Sequence, residues 1–179
     1  MAVRNIVFFD LETQRSADEV GGWDNKREMG MSLGVTYSTA RGGYEIYDES
    51  RVDDLIRELQ RADLVVGFNQ VGFDYEVLHA YTVFDLTQLP SLDLLVVLTE
   101  TLKHRLKLDS IAEATFGVSK TAEWLQAIEW FREGKMLEIA KYCCFDVKLT
   151  RMVYEFGAAN GQIFYKNRFG TRLSVAVNW

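Results

Sequence analysis

Ile6-Val7-Phe8-Phe9 runs straight into Asp10-Leu11-Glu12, and nothing else in the sequence restricts the fold as much. Apolar residues rich in β-branched and aromatic types read as a strand bound for a core. A strand alternates its side chains between two faces, so Ile6, Phe8, Asp10 and Glu12 share one side. The fold must bury one end of this strand and give the other end a place where two negative charges, one residue apart, are tolerable. Alone, a D-x-E pair marks only the point where a strand surfaces.

Two further carboxylates raise the same question. In "GFNQVGFDYE", Asp74 follows Phe73 close behind the apolar run "ADLVVGFN" (62–69), with Asn69 at the end of that run. Read by itself, Asp74 is a helix cap. Further on, Ile139, Tyr142, Asp146, Leu149, Val153 and Phe156 follow spacings of three and four, which places them on one stripe of a helix. A carboxylate on such a face is costly unless it is paired, neutralised or bound to a cation. Lys141 and Lys148 point elsewhere by helical phase, whereas Tyr142 projects toward the same place as Asp146. Four carboxylates gathered in one place repel one another. Hard divalent ions, Mg²⁺ or Mn²⁺, resolve such a cluster. Two of them, about 3.5–4 Å apart, would clamp a phosphodiester.

The remaining pattern is that of an α/β protein. The chain of 179 residues is the length of a single domain. "SLGVTYS" (32–38) and "YEIY" (44–47) read as a second and third strand joined through "TARGG". The segment between the first two strands is polar and Gly-bearing, and reads as a long functional loop with room for a short helix. Val52, Leu55, Ile56 and Leu59 recur at helical spacing. "ADLVVGFN" is a buried strand ending at Gly67, and "FDYEVLHAYT" begins a helix. Helices ending at Gly117, at Gly134 and near Gly157 to Gly161 follow. The tail reads as a hairpin around 167–170. No apolar stretch is long enough to span a bilayer and the N-terminus does not read as a signal peptide, so a cytoplasmic location and no membrane association are expected. Adjacent Cys143 and Cys144 lack metal-ligand spacing and read as small buried or half-buried side chains. The net charge of −6 is unlike that of a purely electrostatic nucleic-acid binder, but catalytic carboxylates count as negative until metal binds.

The three clusters together resemble the motifs of the DEDD group of 3′–5′ exonucleases. They stand here as Asp10-Leu11-Glu12, Asn69-Gln70-Val71-Gly72-Phe73-Asp74 and Tyr142-Cys143-Cys144-Phe145-Asp146. Lys141 stands where the histidine subtype has its histidine, so the match is to the tyrosine subtype. "SLDLL" (91–95) and "LKLDSIAEATFGVSK" (106–120) look like the segment between the second and third motifs. The likeness is nearest to predicted exonuclease domains similar to those of B-family DNA polymerases. It covers most of residues 4–156 and leaves out the 13–31 loop and the C-terminal hairpin, 161–179.

The resemblance implies a ribonuclease-H-like mixed sheet flanked by helices, with the hairpin as an extension. It implies that Asp10, Glu12, Asp74 and Asp146 hold two divalent ions and that Tyr142 orients the attacking water, since a phenol with a pKa near ~10 is a poor base at neutral pH. The implied reaction removes 5′-mononucleotides from the 3′ end of single-stranded DNA or RNA. A structure-specific endonuclease and a catalytically silent binding module are the competing readings. A polymerase or helicase partner and the oligomeric state are left open.

Among weaker candidates, Asn69 touches the terminal nucleotide or the carboxylates, or else satisfies a turn. Leu11, Phe73 and Phe9 are candidates to wedge or stack against the terminal base, Phe9 also being a candidate for the core, and Trp23 is the best exposed aromatic for stacking. The basic run at 102–107 reads as a solvated loop, with phosphate contact as the alternative. Asp93 reads as a helix cap, and His79 and His104 as structural. Lys166, Arg168 and Arg172 either grip nucleic acid or solubilise an exposed turn.

Overall fold

The computed structural model describes residues 4–118 and 124–179. The first strand, β1, spans Ile6–Thr13. It pairs on one side with antiparallel β2 (Met31–Ser38), which in turn pairs with antiparallel β3 (Gly43–Asp48). On its other side lies parallel β4 (Leu64–Gly67), followed by parallel β5 (Ser91–Asp93). The sheet order is β3-β2-β1-β4-β5. β1 is thus central, and the C-terminal ends of β1, β4 and β5 open on one edge. Parallel strands place ligands at that end.

Alternation along β1 sends side chains to two separate cores. Val7, Phe9 and Leu11 face α1 (Val52–Arg61) and α2 (Asp74–Leu78) in one cluster with Leu55, Leu59, Tyr75 and Leu78. Phe8 faces the other cluster, built with α3 (Leu94–Leu102), α4 (Leu108–Phe116) and the long α6 (Met136–Asn160). α1 presents Val52, Leu55, Ile56 and Leu59 inward, as its periodicity predicts. α5 (Trp124–Arg132) precedes α6, and the expected start of that helix, 121–123, lies outside the described residues. α4 and α6 end on left-handed Gly117 and Gly161, the conformation glycine adopts without a Cβ penalty. Among the described residues, no helix is long and apolar enough to cross a membrane.

The helix begun at Phe73 is short, covering only Asp74–Leu78. The helix that Asp93 caps runs the full length of 94–102 and is entered from β5. The polar segment after β1 carries short 3-10 turns and is closed at its base. Its ends pair through Gln14 N–H to the Gly30 carbonyl and Arg15 N–H to the Met29 carbonyl, at 3.0 and 3.1 Å. Inside it, two 3-10 turns bury Ala17, Val20 and Met29 against Phe73.

The C-terminal hairpin pairs β6 (Gln162–Lys166) with β7 (Arg172–Ala176) as a separate two-stranded sheet. It is stitched to α4. Ser110 Oγ donates to the Lys166 carbonyl, Thr115 Oγ1 to that of Phe164, and Arg172 Nε to that of Ala114. Lys166 pairs with Glu113 and Arg172 lies over the Phe164 ring. These two cations hold the hairpin down, while Arg168 lies over the neighbouring Phe169 ring.

Candidate active site

The sheet edge described above is where the predicted residues meet. β1 carries Asp10 and Glu12 to its C-terminal end, where the β1–β2 register shifts between Glu12 and Thr13. α6 packs across the same face and brings Tyr142 and Asp146 toward them, both almost fully buried. Asp74 arrives from the other side, as the first residue of α2 after the β4 turn. All five line one cleft of about 240 Å³. Leu11, Asn69, Phe73 and Trp23 line it too, with Phe68 and Thr13 completing the wall. Of the aromatic candidates, Phe9 alone is elsewhere. It is buried in the core and stacked on Tyr75, because its position in β1 points it away from α6.

Asp74 is not a helix cap. Its Oδ1 accepts the Leu11 backbone N–H at 3.0 Å, which ties α2 to β1. Burial, with the charges of Asp93 and Asp146 adding to it, raises its pKa to about 7 against the pull of that hydrogen bond. Asp93 is the cap. Its carboxylate accepts the backbone N–H groups of Leu95 and Val96 at the start of α3. It also accepts those of Asn69 and Val71, and so shapes the turn that delivers Asp74.

The aromatic groups are held by one another. Tyr142 meets Trp130 edge-to-face at 6.3 Å between centroids, and Trp23 meets Phe73 likewise at 6.3 Å. Trp23 is 55% exposed and offers the larger open face at the mouth.

Cys143 is a site residue that the sequence reading left among small buried side chains. Its thiol donates to the Asp10 carbonyl and to Asp10 Oδ2, each at 3.4 Å. Asp10, Glu12 and Cys143 offer ligand atoms all within 4.8 Å of one another. Burial, with Asp10, Glu12 and Asp146 adding repulsion, pushes the thiol well above its ordinary pKa. The donors the site offers are carboxylate oxygens from β1, α2 and α6, with the Cys143 sulfur beside those of Asp10 and Glu12. The signal for Cys143 was its place three residues before Asp146, on nearly the same helix face. Arg105 was also missed. It donates from Nη2 to Asn69 Oδ1 at 3.0 Å, so the basic segment at 102–107 reaches the site instead of only facing solvent. His79 and His104 stay structural, His79 Nε2 accepting the Leu86 N–H at 3.2 Å and His104 Nδ1 lying 3.1 Å from the Leu102 carbonyl.

No family model and no curated protein matches the chain. Solved structures do match. One is the family B DNA polymerase from the hyperthermophilic archaeon Pyrobaculum calidifontis, at a TM-score of 0.62 and 18% identity. The alignment takes in 86% of this chain but 24% of the polymerase. The fold is ribonuclease-H-like. Its mixed five-stranded sheet, flanking helices and added hairpin are those the sequence led one to expect.

Proposed function

We propose that this chain is a metal-dependent 3′–5′ exonuclease acting on single-stranded DNA or RNA. The observation that carries the reading is the meeting of Asp10, Glu12, Asp74 and Asp146 with Tyr142 in one cleft, from three separate elements. The motif resemblance supports it, and likeness to part of a DNA polymerase is in keeping with a nucleic-acid substrate.

On this reading the four carboxylates hold two Mg²⁺ or Mn²⁺ ions. When bound, these ions supply an activated water and neutralise charge developing on the leaving 3′ oxygen. The protein's own groups do the rest. Tyr142, fixed against Trp130, presents its hydroxyl to the water and positions it. Asp74 keeps its orientation through Leu11 N–H. Phe73 and Trp23 form a stacking wall at the mouth, where an unpaired terminal base has a free π-face.

The test is cleavage of 3′- and 5′-labelled DNA and RNA oligonucleotides with Mg²⁺, Mn²⁺ or EDTA. Single strands are expected to shorten from the 3′ end, release 5′-mononucleotides and survive in EDTA. Shortening from the 5′ end, or opening of a circular strand, would rule out the exonuclease reading. A circular strand that is cut points to the structure-specific endonuclease instead.

A further inference from the structure

The cleft is walled by carboxylates, yet a nucleic-acid strand entering it is itself an anion. Metal ions answer this at the scissile phosphate, but the rest of the strand needs a donor of its own. The structure has one on the rim. Asn69 sits in the left-handed region at φ 72, with its N–H held by Asp93 Oδ1 at 2.8 Å and its carbonyl accepting Phe73 N–H at 2.9 Å. Its backbone is therefore fixed, and only the carboxamide is left to orient. Gly72 leaves room for that group, since a Cβ there would stand 3.1 Å from Asn69 Oδ1. Arg105 then selects the rotamer. A guanidinium only donates, so the carboxamide oxygen must face Nη2, which turns the amide N–H₂ away from Arg105. Arg105 is exposed and spends this bond on an amide, not on a carboxylate. The pair thus offers the amide donors and the remaining guanidinium donors beside a cleft whose charged lining residues are all carboxylates.

We propose that Arg105, braced by Asn69, binds a non-scissile phosphate of the strand and thereby holds the strand at the cleft. The ligand chemistry is a phosphodiester oxygen pair, which a planar guanidinium grips with two parallel bonds. This inference rests on the nuclease reading for its meaning, but its primary readout is binding. Fluorescence anisotropy with a labelled single-stranded oligonucleotide in Ca²⁺, over a salt series, would be run on wild type, Arg105→Ala, Arg105→Lys and Lys107→Ala. Lys107 is an exposed cation of the same segment and serves as the charge control.

Arg105→Ala is expected to weaken binding about tenfold or more, the worth of a hydrogen-bonded charge. It should also flatten the slope of log affinity against log salt by about 0.7, one phosphate contact on a single strand. Arg105→Lys should restore the slope but not the affinity, since lysine lacks the fork that holds both Asn69 and phosphate. In cleavage with Mn²⁺, the Arg105→Ala loss should fall on KM with kcat nearly unchanged. The proposal is overturned if wild type does not bind, if Arg105→Ala binds like wild type, or if Lys107→Ala loses as much. If wild type binds but does not cleave while Arg105→Ala still loses affinity, the phosphate contact stands and the exonuclease reading is what fails.

Discussion

At the scale of single residues, the site separates groups that share a place but not a role. Tyr142 and Asp146 project from one face of α6 into one cleft, yet only the carboxylate is a good ligand for a hard ion. Asp146→Asn should lower Mn²⁺ affinity, measured by calorimetry, and remove most activity with it. Tyr142→Phe keeps the ring against Trp130 and removes only the hydroxyl. It should bind Mn²⁺ nearly as wild type while single-turnover cleavage slows about 10²–10⁴-fold. Cleavage by Tyr142→Phe at the wild-type rate would make the tyrosine a packing residue. Asp93 presents the opposite case, a carboxylate beside the site whose work is structural. It takes four backbone N–H groups, from Asn69, Val71, Leu95 and Val96. Asp93→Ala leaves them without that acceptor and should cost about 2–4 kcal/mol, a fall in Tm on the order of 5–15 °C. A melting point within a degree of wild type would show that other acceptors replace it.

At the scale of elements, what could be read from the sequence depended on how local its cause is. The apolar spacing of α1, the glycine ends of α4 and α6 and the β6–β7 turn are set within a few residues, and they came through. So did the D-x-E of β1, Asp74 and the stripe of α6, since each announces a carboxylate out of keeping with its neighbours. The Asp93 cap was legible but the extent of α3 was not, because Leu94-Leu95-Val96-Val97-Leu98 is apolar all round and gives no period to separate strand from helix. The bond from Arg105 to Asn69 joins residues 36 apart, and no local pattern signals it. The hairpin adds a constraint of this non-local kind. The last residue, Trp179, lies against Gly157 of α6 and donates from Nε1 to the Tyr154 carbonyl at 2.9 Å. A Cβ at residue 157 would stand 2.5 Å from Trp179 Cζ2. Gly157→Ala must therefore displace the indole, although alanine is the better helix former. The expected result is a net loss of about 1–3 kcal/mol, with faster amide exchange in β6 and β7 than in β1. A stabilised variant with unchanged exchange would mean that the indole moves aside without cost.

At the scale of the whole molecule, the cleft lies where the two cores meet. β1 feeds Phe8 to one cluster and Phe9 to the other, α6 belongs to the first, and α2 to the second. Asp74 is drawn from the α2 side and Asp146 from the α6 side, so the carboxylates oppose each other across the central strand. Without a cation their repulsion works against the packing that brings the layers together, and it adds to the burial that raises the pKa of Asp74. A divalent ion at this point would act on the folded molecule alone, since the unfolded chain has no such cluster. At a hundred times its dissociation constant it should add about 2.7 kcal/mol of stability. For a chain of this size that is a rise in Tm of roughly 5–10 °C. Mn²⁺ should therefore raise the melting temperature of the wild type in proportion to the logarithm of its concentration, and excess EDTA should return it to the starting value. Asp146→Asn relieves part of the repulsion, so its metal-free form is expected to melt no lower than the metal-free wild type, while its response to Mn²⁺ shrinks. The two effects have opposite signs, which separates them from a general loss of structure. If saturating Mn²⁺ leaves the wild-type melting temperature where it was, the cluster is not a metal site and the carboxylates must be balanced in another way.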